Sequence, residues 1–445
     1  MSRKIFIFLI FMLLLAGCNY PRRETPTLPP PATLTPSWAP TSDVFASPSP
    51  TVLIATAFPT FTPAASRPGS SGKPSPSPMT EPEIATATSS PLTGEPITIT
   101  RIAMLNRLDG WGIGYLAGSG ARIVFTEDGG QSWSDRTPPD PLADNPAEAE
   151  SAWAYFADEN TAWVIYAPQQ GPPSSQPPGI WKTTDGGHTW NISSPLPATG
   201  DGAWFTPETF VFADTQHGWL LVHVGAGMSH DYSELFATQN AGQTWERVAD
   251  PYGAGLQSLY NTGMAFADRQ FGWVTKDNIG VMPGAFLEQT IDGGITWTDV
   301  FLPSPPDFDW ETEVSLCATE SPTFLTPQAG LVIVNCRTFE GEQTYTYVYR
   351  TADRGTTWTW AQLPSPVDSL LFIGQQNGWA FGRDFYQSTD GGRTWVQFKT
   401  VTWDGQFSFA DALYGWAVAR KNDKIALVST ANGGKTWQFI EPVIR

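Results

Sequence analysis

The stretch Thr183-Thr-Asp-Gly-Gly-His-Thr-Trp190 decides the fold of this chain, because variants of it recur at six other places. The other copies occupy residues 126–133, 238–245, 290–297, 351–358, 388–395 and 430–437. All follow the pattern Ser/Thr-x-Asp-x-Gly-x-Thr/Ser-Trp, with Asn replacing Asp in the third and seventh copies. A recurrence at roughly 50 residues is typical of propeller blades. We number the repeats 1 to 7 in chain order.

Each position of the phrase has a physical role. An Asp or Asn oxygen accepts hydrogen bonds within its own tight turn. Gly fills the fifth position of every copy, which predicts a positive φ there, whereas the fourth position accepts Ala241 and Arg354 and is predicted to be looser. The Trp is expected to pack into the blade. We therefore assign a structural role, not a catalytic or calcium-binding one, to Asp128, Asp185, Asn240, Asp292, Asp353, Asp390 and Asn432, and to Trp133, Trp190, Trp245, Trp297, Trp358, Trp395 and Trp437.

A second phrase, Phe-Ala-Asp followed by Gly-Trp and an apolar run, precedes several of these boxes, as at residues 212–222, 266–274 and 409–418. Repeat 5 departs from it, with Gly330–Leu331 in place of Gly-Trp. Together the phrases predict four short strands per repeat. The expected fold is all-β: a seven-bladed propeller of four-stranded antiparallel blades with Asp-box turns, over residues 97–445. No strand exchange is evident, so ring closure is predicted to depend on blade packing alone.

These phrases resemble the Asp-box, or BNR-type, propellers, and their coupling is most similar to the photosystem II stability/assembly factor family. The resemblance covers roughly residues 97–445. It implies a non-catalytic binding scaffold whose partner is a membrane protein under assembly, in photosynthesis or more generally. The Asp box also occurs in sialidases and xyloglucanases. The alternative is therefore an extracellular glycoside hydrolase or a glycan-binding propeller.

The N-terminus predicts the compartment. Arg3 and Lys4 precede an apolar run from Ile5 to Leu15, as in a signal peptide. The run ends in Leu15-Ala16-Gly17-Cys18, which resembles a bacterial lipobox. The resemblance implies cleavage before Cys18 and lipid on its sulfur and amine, so the protein would be anchored in the cell envelope on the extracytoplasmic face of a membrane. A plain secretory signal that is cut elsewhere is the alternative.

Residues 19–96 are dominated by Pro, Thr, Ser and Ala. Such a segment cannot bury enough apolar surface to offset its ordering entropy. We expect a disordered tether that holds the propeller away from the membrane.

Charge and cysteine content limit the partners further. The net charge of −18 and the isoelectric point near 4.5 argue against nucleic acid and anionic membrane surfaces. Cys317 and Cys336 both lie in repeat 5. An even pair in an exported protein favours a disulfide over two thiols.

One loop of repeat 5 is the candidate ligand site, with Asp307, Asp309 and Glu311 around Trp310. An aromatic side chain flanked by carboxylates suits sugar binding or hydrolysis, although the same residues also make an ordinary solvated loop. His223, His230 and Asp231 are predicted to share one loop and could bind a metal, but their spacing matches no zinc pattern. We therefore expect no metal, no cofactor and no catalytic residue.

Overall fold

A computed structural model describes residues 94–139, 151–167, 178–198, 205–227, 230–251, 255–256, 259–278, 284–310, 315–338 and 343–445. The predicted signal peptide, Cys18 and nearly all of the predicted tether lie outside these ranges. Within them, no helix is long and apolar enough to cross a membrane.

Each repeat contributes four main strands. The strands of repeat 1 are Thr98–Met104, Gly110–Tyr115, Arg122–Thr126 and Ser132–Asp135. Those of repeat 2 are Ser151–Phe156, Ala162–Ala167, Trp181–Thr183 and Asn191–Ile192. Those of repeat 3 are Thr206–Phe212, Gly218–Gly227, His230–Thr238 and Glu246–Ala249. Those of repeat 4 are Tyr260–Phe266, Gly272–Asp277, Phe286–Thr290 and Thr298–Phe301. In repeat 5 the first strand is in two parts, Ser315–Thr319 and Thr323–Phe324, and is followed by Gly330–Thr338, Thr344–Thr351 and Thr359–Leu363. Those of repeat 6 are Val367–Ile373, Asn377–Gly382, Asp384–Ser388 and Val396–Thr400. Those of repeat 7 are Asp404–Phe409, Gly415–Lys421, Lys424–Thr430 and Gln438–Ile440.

The strands form a β-propeller of four-stranded antiparallel blades, with strands paired in sequence order. Repeats 2, 3, 6 and 7 each form a separate four-stranded sheet. Repeats 4 and 5 share one nine-stranded sheet, in which the pair Asp277–Ala318 joins the two units. The all-β architecture is confirmed, and the number seven stays a prediction.

The C-terminal strand extends the first sheet, contrary to the prediction that packing alone closes the ring. The C-terminal strand Val443–Ile444 pairs in parallel with Ser132 and Trp133 of repeat 1. On its other side it pairs with the strand Glu95–Pro96, two residues that the sequence analysis placed in the tether. The closing strand was missed because it is only two residues long and carries no Asp-box phrase.

The Asp-box turn of repeat 1 illustrates the hydrogen bonding. Asp128 Oδ1 accepts hydrogen bonds from the Ser132 backbone N–H at 2.8 Å and the Thr126 hydroxyl at 3.0 Å. The Thr126 hydroxyl in turn accepts one from the Gly130 N–H at 2.9 Å. Because the carboxylate satisfies donors of its own turn, its contacts are those of a structural residue.

The two central positions of the box both have a positive φ, so the fourth position is less loose than predicted. At the fifth position φ runs from 81° to 97°, and every residue is Gly. At the fourth position it runs from 59° to 80°, with 59° at Ala241 and 60° at Arg354. The values near 60° lie in the left-handed region that a residue with a Cβ can occupy at some cost. The larger values explain why only Gly occurs at the fifth position.

The Gly-Trp tryptophans join neighbouring repeats. Trp163 in repeat 2 donates its indole N–H to the carbonyl of Ala241 in the box of repeat 3, at 2.9 Å. Trp219 does the same to Gly293 at 2.8 Å. All six tryptophans of this phrase are buried, including Trp163, which follows Ala162 in place of Gly. The boxes of repeats 1, 3, 4 and 7 are thus both the turns of their own blades and acceptors for a tryptophan of the preceding repeat.

Repeat 5 lacks that tryptophan and contains a disulfide instead. Cys317 and Cys336 lie opposite each other on adjacent strands and are bonded. Both are buried in the core of this repeat.

Candidate functional site

In the loop predicted to bind ligand, Trp310 does not form an exposed aromatic platform. Trp310 is 1% exposed and packs against Phe308, Tyr347 and Tyr349 in the core of repeat 5. The prediction was wrong because the run Asp307-Phe-Asp-Trp310 alternates: its aromatic residues point inward and its two Asp residues are exposed.

The carboxylates of that loop therefore have no exposed aromatic partner in Trp310. Asp307 Oδ2 accepts a hydrogen bond from the Tyr347 hydroxyl at 3.2 Å. Asp309 is exposed. Glu311 lies outside the described residues. The Asp and Asn residues of the boxes are engaged in their own turns, which leaves the other ends of the strands as the place for a site.

We call the face formed by the strand ends away from the Asp-box turns the distal face. In repeat 3 the register shows the two ends. Gly218 pairs with Thr238 beside the box, whereas His223 pairs with Ser233 and Gly227 pairs with His230 towards the distal face.

Three side chains form a carboxylate–imidazole cluster at the distal end of repeat 3: Glu208, His223 and Asp231. Ligand-type atoms of all three lie within 4.8 Å of one another, and His223 Nδ1 is 2.6 Å from Asp231 Oδ1. Asp231 is buried, whereas Glu208 and His223 are half-buried. The cluster is therefore open on one side.

The surroundings of the cluster shift its protonation. Burial, and then the charge of Asp231, raises the pKa of Glu208 to about 7. The hydrogen bond to Asp231 raises the pKa of His223. A carboxyl group that titrates near neutrality can donate and accept a proton, and such groups concentrate at functional sites.

A polar network connects the cluster to repeat 4. Asn261 donates to Glu208 Oε2 at 3.3 Å and to Ser233 Oγ at 2.7 Å. Its Oδ1 accepts from Lys276 Nζ at 2.8 Å. The same Nζ is 2.7 Å from Glu288. The buried lysine therefore has a carboxylate partner of its own.

Acidic groups continue along the distal face through repeats 5 and 6. Burial raises the pKa of Glu320, and the carboxylates of Asp368 and Asp277 add to this effect. Burial also raises the pKa of Asp368, with a further contribution from Asp404. This part of the face repels anions.

Repeats 6 and 7 present the opposite charge, in what we call the cationic groove. It has a volume of about 830 Å³. Its charged side chains are Lys399, Arg420, Lys421, Lys424 and Asp423, and its main apolar ones are Trp403, Trp437, Ile425 and Phe439. Phe439 is 82% exposed. Because four cationic side chains lie beside one carboxylate, the net charge of the groove is positive, whereas the net charge of the whole chain is negative.

A tight hairpin builds this groove. Lys421 pairs with Lys424 across the two-residue turn Asn422-Asp423, and Asn422 has a φ of 53°. Asn tolerates this left-handed conformation and favours such hairpin turns. The turn projects both lysines from the same end of the hairpin. Lys421 Nζ also donates to the Thr402 hydroxyl at 2.9 Å.

Sequence reasoning missed both features. The run Ala419-Arg-Lys-Asn-Asp-Lys424 carries a visible cationic signal in an acidic chain. Glu208 had no such signal, because only the pairing of strands brings it beside His223 and Asp231.

Comparisons with known proteins support the fold. No protein-family model matches the sequence, and no curated protein matches it. A solved structure of a puromycin-hydrolyzing peptidase from Mycobacterium tuberculosis is similar with a TM-score of 0.50 and 12% identity, over 78% of this chain and 54% of that one.

Two further solved structures are similar with TM-scores below 0.5. One, described as YCF48 bound to D1 peptide, has a TM-score of 0.46 and 16% identity, over 80% of this chain and 99% of that one. The other is an ulvan lyase of polysaccharide lyase family PL25 bound to a GlcA–Rha3S saccharide, with a TM-score of 0.48 and 12% identity, over 77% of this chain and 96% of that one. At these identities the likeness concerns the fold alone.

Proposed function

We propose that this protein is a membrane-anchored, extracytoplasmic binding scaffold whose cationic groove holds an anionic, aromatic-rich segment of a membrane protein or complex. The observation that carries the proposal is the charge reversal at this groove. The chain has 25 Lys and Arg against 43 Asp and Glu, yet Lys399, Arg420, Lys421 and Lys424 meet here around an exposed Phe439.

The physical argument is complementarity. A patch of one sign steers a partner of the opposite sign and suppresses wrong partners. Exposed aromatic side chains beside such charges supply the apolar contact area that dominates binding energy. The acidic surroundings of repeats 3 to 6 would fix the orientation of an anionic segment by repelling it from the rest of the distal face.

Two finer parts of the proposal rest on the sequence. The resemblance of residues 15–18 to a lipobox supports a lipid on Cys18, and the coupled phrases support seven blades and a role in membrane-protein assembly, with photosystem II as the named case. The separation of the strands of repeats 4 and 5 into two units joined by one residue pair supports the blade number. Loss of membrane partitioning in Cys18→Ser tests the anchor, and an experimental structure with six or eight blades would contradict the number.

The groove is tested with the full chain in detergent and two peptides. One carries Asp, Glu and Phe, and its counterpart carries Asn, Gln and Phe. We expect the acidic peptide alone to bind, more weakly as salt rises, and to lose at least about tenfold in affinity in Lys421→Glu/Lys424→Glu, which is roughly 1.4 kcal/mol.

The matched control is Arg269→Glu/Arg393→Glu, which makes the same charge change at two exposed positions outside the groove, with Arg393 inside the Asp box of repeat 6. Equal losses in both double variants would show a general charge effect and overturn the groove. Binding of anionic vesicles or anionic glycans in place of the peptide would also contradict it.

A glycan-processing function is the second candidate, because Glu208 and Asp231 combine a carboxyl whose pKa is raised to about 7 with a second carboxyl nearby. Glycoside hydrolysis requires a pair of carboxyl groups, one of which acts as a general acid with a raised pKa. Turnover of a polysaccharide that is lost in Glu208→Gln and kept in the groove variant would favour this function over the scaffold.

A further inference from the structure

We propose that Glu208, His223 and Asp231 form a binding site for one divalent first-row transition metal ion, with Zn²⁺ as the natural probe. This site goes beyond the scaffold function, since it lies in repeat 3 and the cationic groove lies in repeats 6 and 7. The sequence analysis expected no metal, because it read spacing along the chain and could not pair Glu208 with the other two residues.

The first argument is the donor set. One imidazole nitrogen and two carboxylate oxygens are ligand types that zinc accepts, and three protein ligands with one open position describe its reactive sites. Mixed nitrogen and oxygen donors favour such ions over calcium, which takes oxygen ligands.

The second argument is geometry. The ligand-type atoms lie within 4.8 Å of one another, and two atoms bound to one zinc at about 2.2 Å can be no more than about 4.4 Å apart. A shift of less than about 1 Å would therefore bring all three onto one ion. Glu208 is half-buried at a register shift between Pro207 and Thr209, so it is the side chain best placed to move.

The third argument is a bulge particular to this repeat. The first strands of repeats 1, 3, 4 and 6 each have a register shift. Repeat 3 has an additional one in its second strand, between His223 and Gly225. Bulges re-aim side chains and are frequent next to functional sites. This one adjoins the only imidazole of the cluster.

The fourth argument is charge. The cluster brings two carboxyls and one imidazole together at a partly buried position. The nearest lysine, Lys276, is itself 2.7 Å from Glu288. A bound divalent cation would offset the negative charge of two neighbouring carboxylates.

The experiment uses the full chain in detergent, without a polyhistidine tag. After dialysis against chelator, the protein is titrated with ZnCl₂ by calorimetry, and bound metal is counted by mass spectrometry. CoCl₂ provides a second readout, since bound cobalt reports its ligand geometry by visible absorption. We expect one equivalent of metal, a higher melting temperature with zinc, and a loss of at least tenfold in affinity in His223→Ala and Glu208→Gln.

The chain offers a matched control. His217 Nδ1 lies 2.9 Å from Asp214 Oδ2, and this second His–Asp pair is not among the described clusters of three or more metal-ligating side chains. His217→Ala should bind zinc like the unaltered protein. No stoichiometric binding, or equal affinity in His223→Ala, would overturn the site. Far-UV circular dichroism shows that each variant is folded, and the near-isosteric Glu208→Gln keeps the test valid if His223→Ala does not fold.

A metal-dependent activity is not needed for this test. Zinc binding that disappears in Glu208→Gln while the acidic peptide still binds would support the metal site independently of the scaffold. If zinc binds but the acidic peptide does not, the scaffold function is contradicted and the metal site is still supported.

Discussion

The indole N–H of Trp416 donates a 2.8 Å hydrogen bond to the carbonyl oxygen of Gly129, and so joins repeat 7 to the Asp box of repeat 1. It is the same kind of bond that Trp163 and Trp219 make to the repeats that follow them. The last repeat therefore contacts the first as repeats 2 and 3 contact their successors. The closing strand Val443–Ile444 adds backbone pairing at that junction.

Removal of residues 443–445 should destabilise the propeller. The deletion removes the bonds from Val443 N–H to Gln131 O and from Arg445 N–H to Trp133 O. At about 1 kcal/mol per hydrogen bond, with some loss of side-chain burial, we expect a decrease of about 2–4 kcal/mol in unfolding free energy by denaturant titration. Val443→Ala/Ile444→Ala keeps the backbone pairing and should lose less. A deletion that unfolds like the full chain would mean that packing alone closes the ring.

Gly242→Ala should be far more damaging than Gly118→Ala. Both glycines have a positive φ, 83° and 76°, so both variants carry a left-handed cost of roughly 1–2 kcal/mol. A Cβ on Gly242 would lie 2.6 Å from Trp163 Nε1, whereas one on Gly118 would meet nothing within 4 Å. The clash should add about 1–3 kcal/mol. Equal shifts in denaturation midpoint would show that φ alone explains the invariant glycine.

Much of the fold could be predicted from the sequence because its signals are local. The Asp-box glycines, the turn carboxylates and the buried Gly-Trp tryptophans each follow from residues a few positions apart. Ring closure could not be predicted in this way, since Val443 and Ser132 are joined only in three dimensions. The candidate site could not be predicted for the same reason. Glu208 meets His223 across a strand pair, and the burial of Trp310 depends on Tyr347 and Tyr349, which share one later strand.

Trp310→Ala should destabilise the protein more than Trp297→Ala. Trp310 is 1% exposed in the core of repeat 5, whereas Trp297 is half-buried. Truncation of a buried tryptophan typically costs about 3–5 kcal/mol through lost burial and the cavity left behind. Thermal and denaturant unfolding of both variants measure the difference. If the unfolding free energy of Trp310→Ala equals that of the unaltered protein, Trp310 is a surface residue, as the sequence suggested.

Loss of the disulfide should cost about 3 kcal/mol, because the 19-residue separation of Cys317 and Cys336 restricts the unfolded chain. The double variant Cys317→Ser/Cys336→Ser and the reduced protein should melt at similar temperatures below that of the oxidised protein. Reductant should not change the melting of the double variant. If it does, the effect of reduction comes from elsewhere in the chain.

Acid should destabilise the Asp-box turns, and the lowered pKa of Asp353 gives the direction of this effect. Hydrogen bonds from the side chain and backbone of Thr357, and then from the Thr351 hydroxyl, lower the pKa of Asp353 to about 2. The unfolded-state pKa is about 3.9. Between these two pKa values the Asp353 carboxyl therefore binds fewer protons in the folded state than in the unfolded state. The stabilisation is present above about pH 4 and is lost as the pH falls towards 2.

The chain contains its own neutral version of this turn. In repeat 7, Asn432 Oδ1 accepts from the Thr436 N–H at 2.9 Å, and its Nδ2 donates to the Thr436 hydroxyl at 2.8 Å. Asp353→Asn should therefore fold normally at neutral pH and show a shallower loss of stability between pH 4 and 2. Asp185→Asn/Asp353→Asn/Asp390→Asn should be shallower still, because the pKa of Asp185 and of Asp390 is also lowered to about 2. Asp423→Asn, at an exposed hairpin turn, controls for the loss of a charge. Melting temperatures measured across this pH range decide the matter: a triple variant that loses stability as steeply as the unaltered protein would show that other carboxylates govern its acid unfolding.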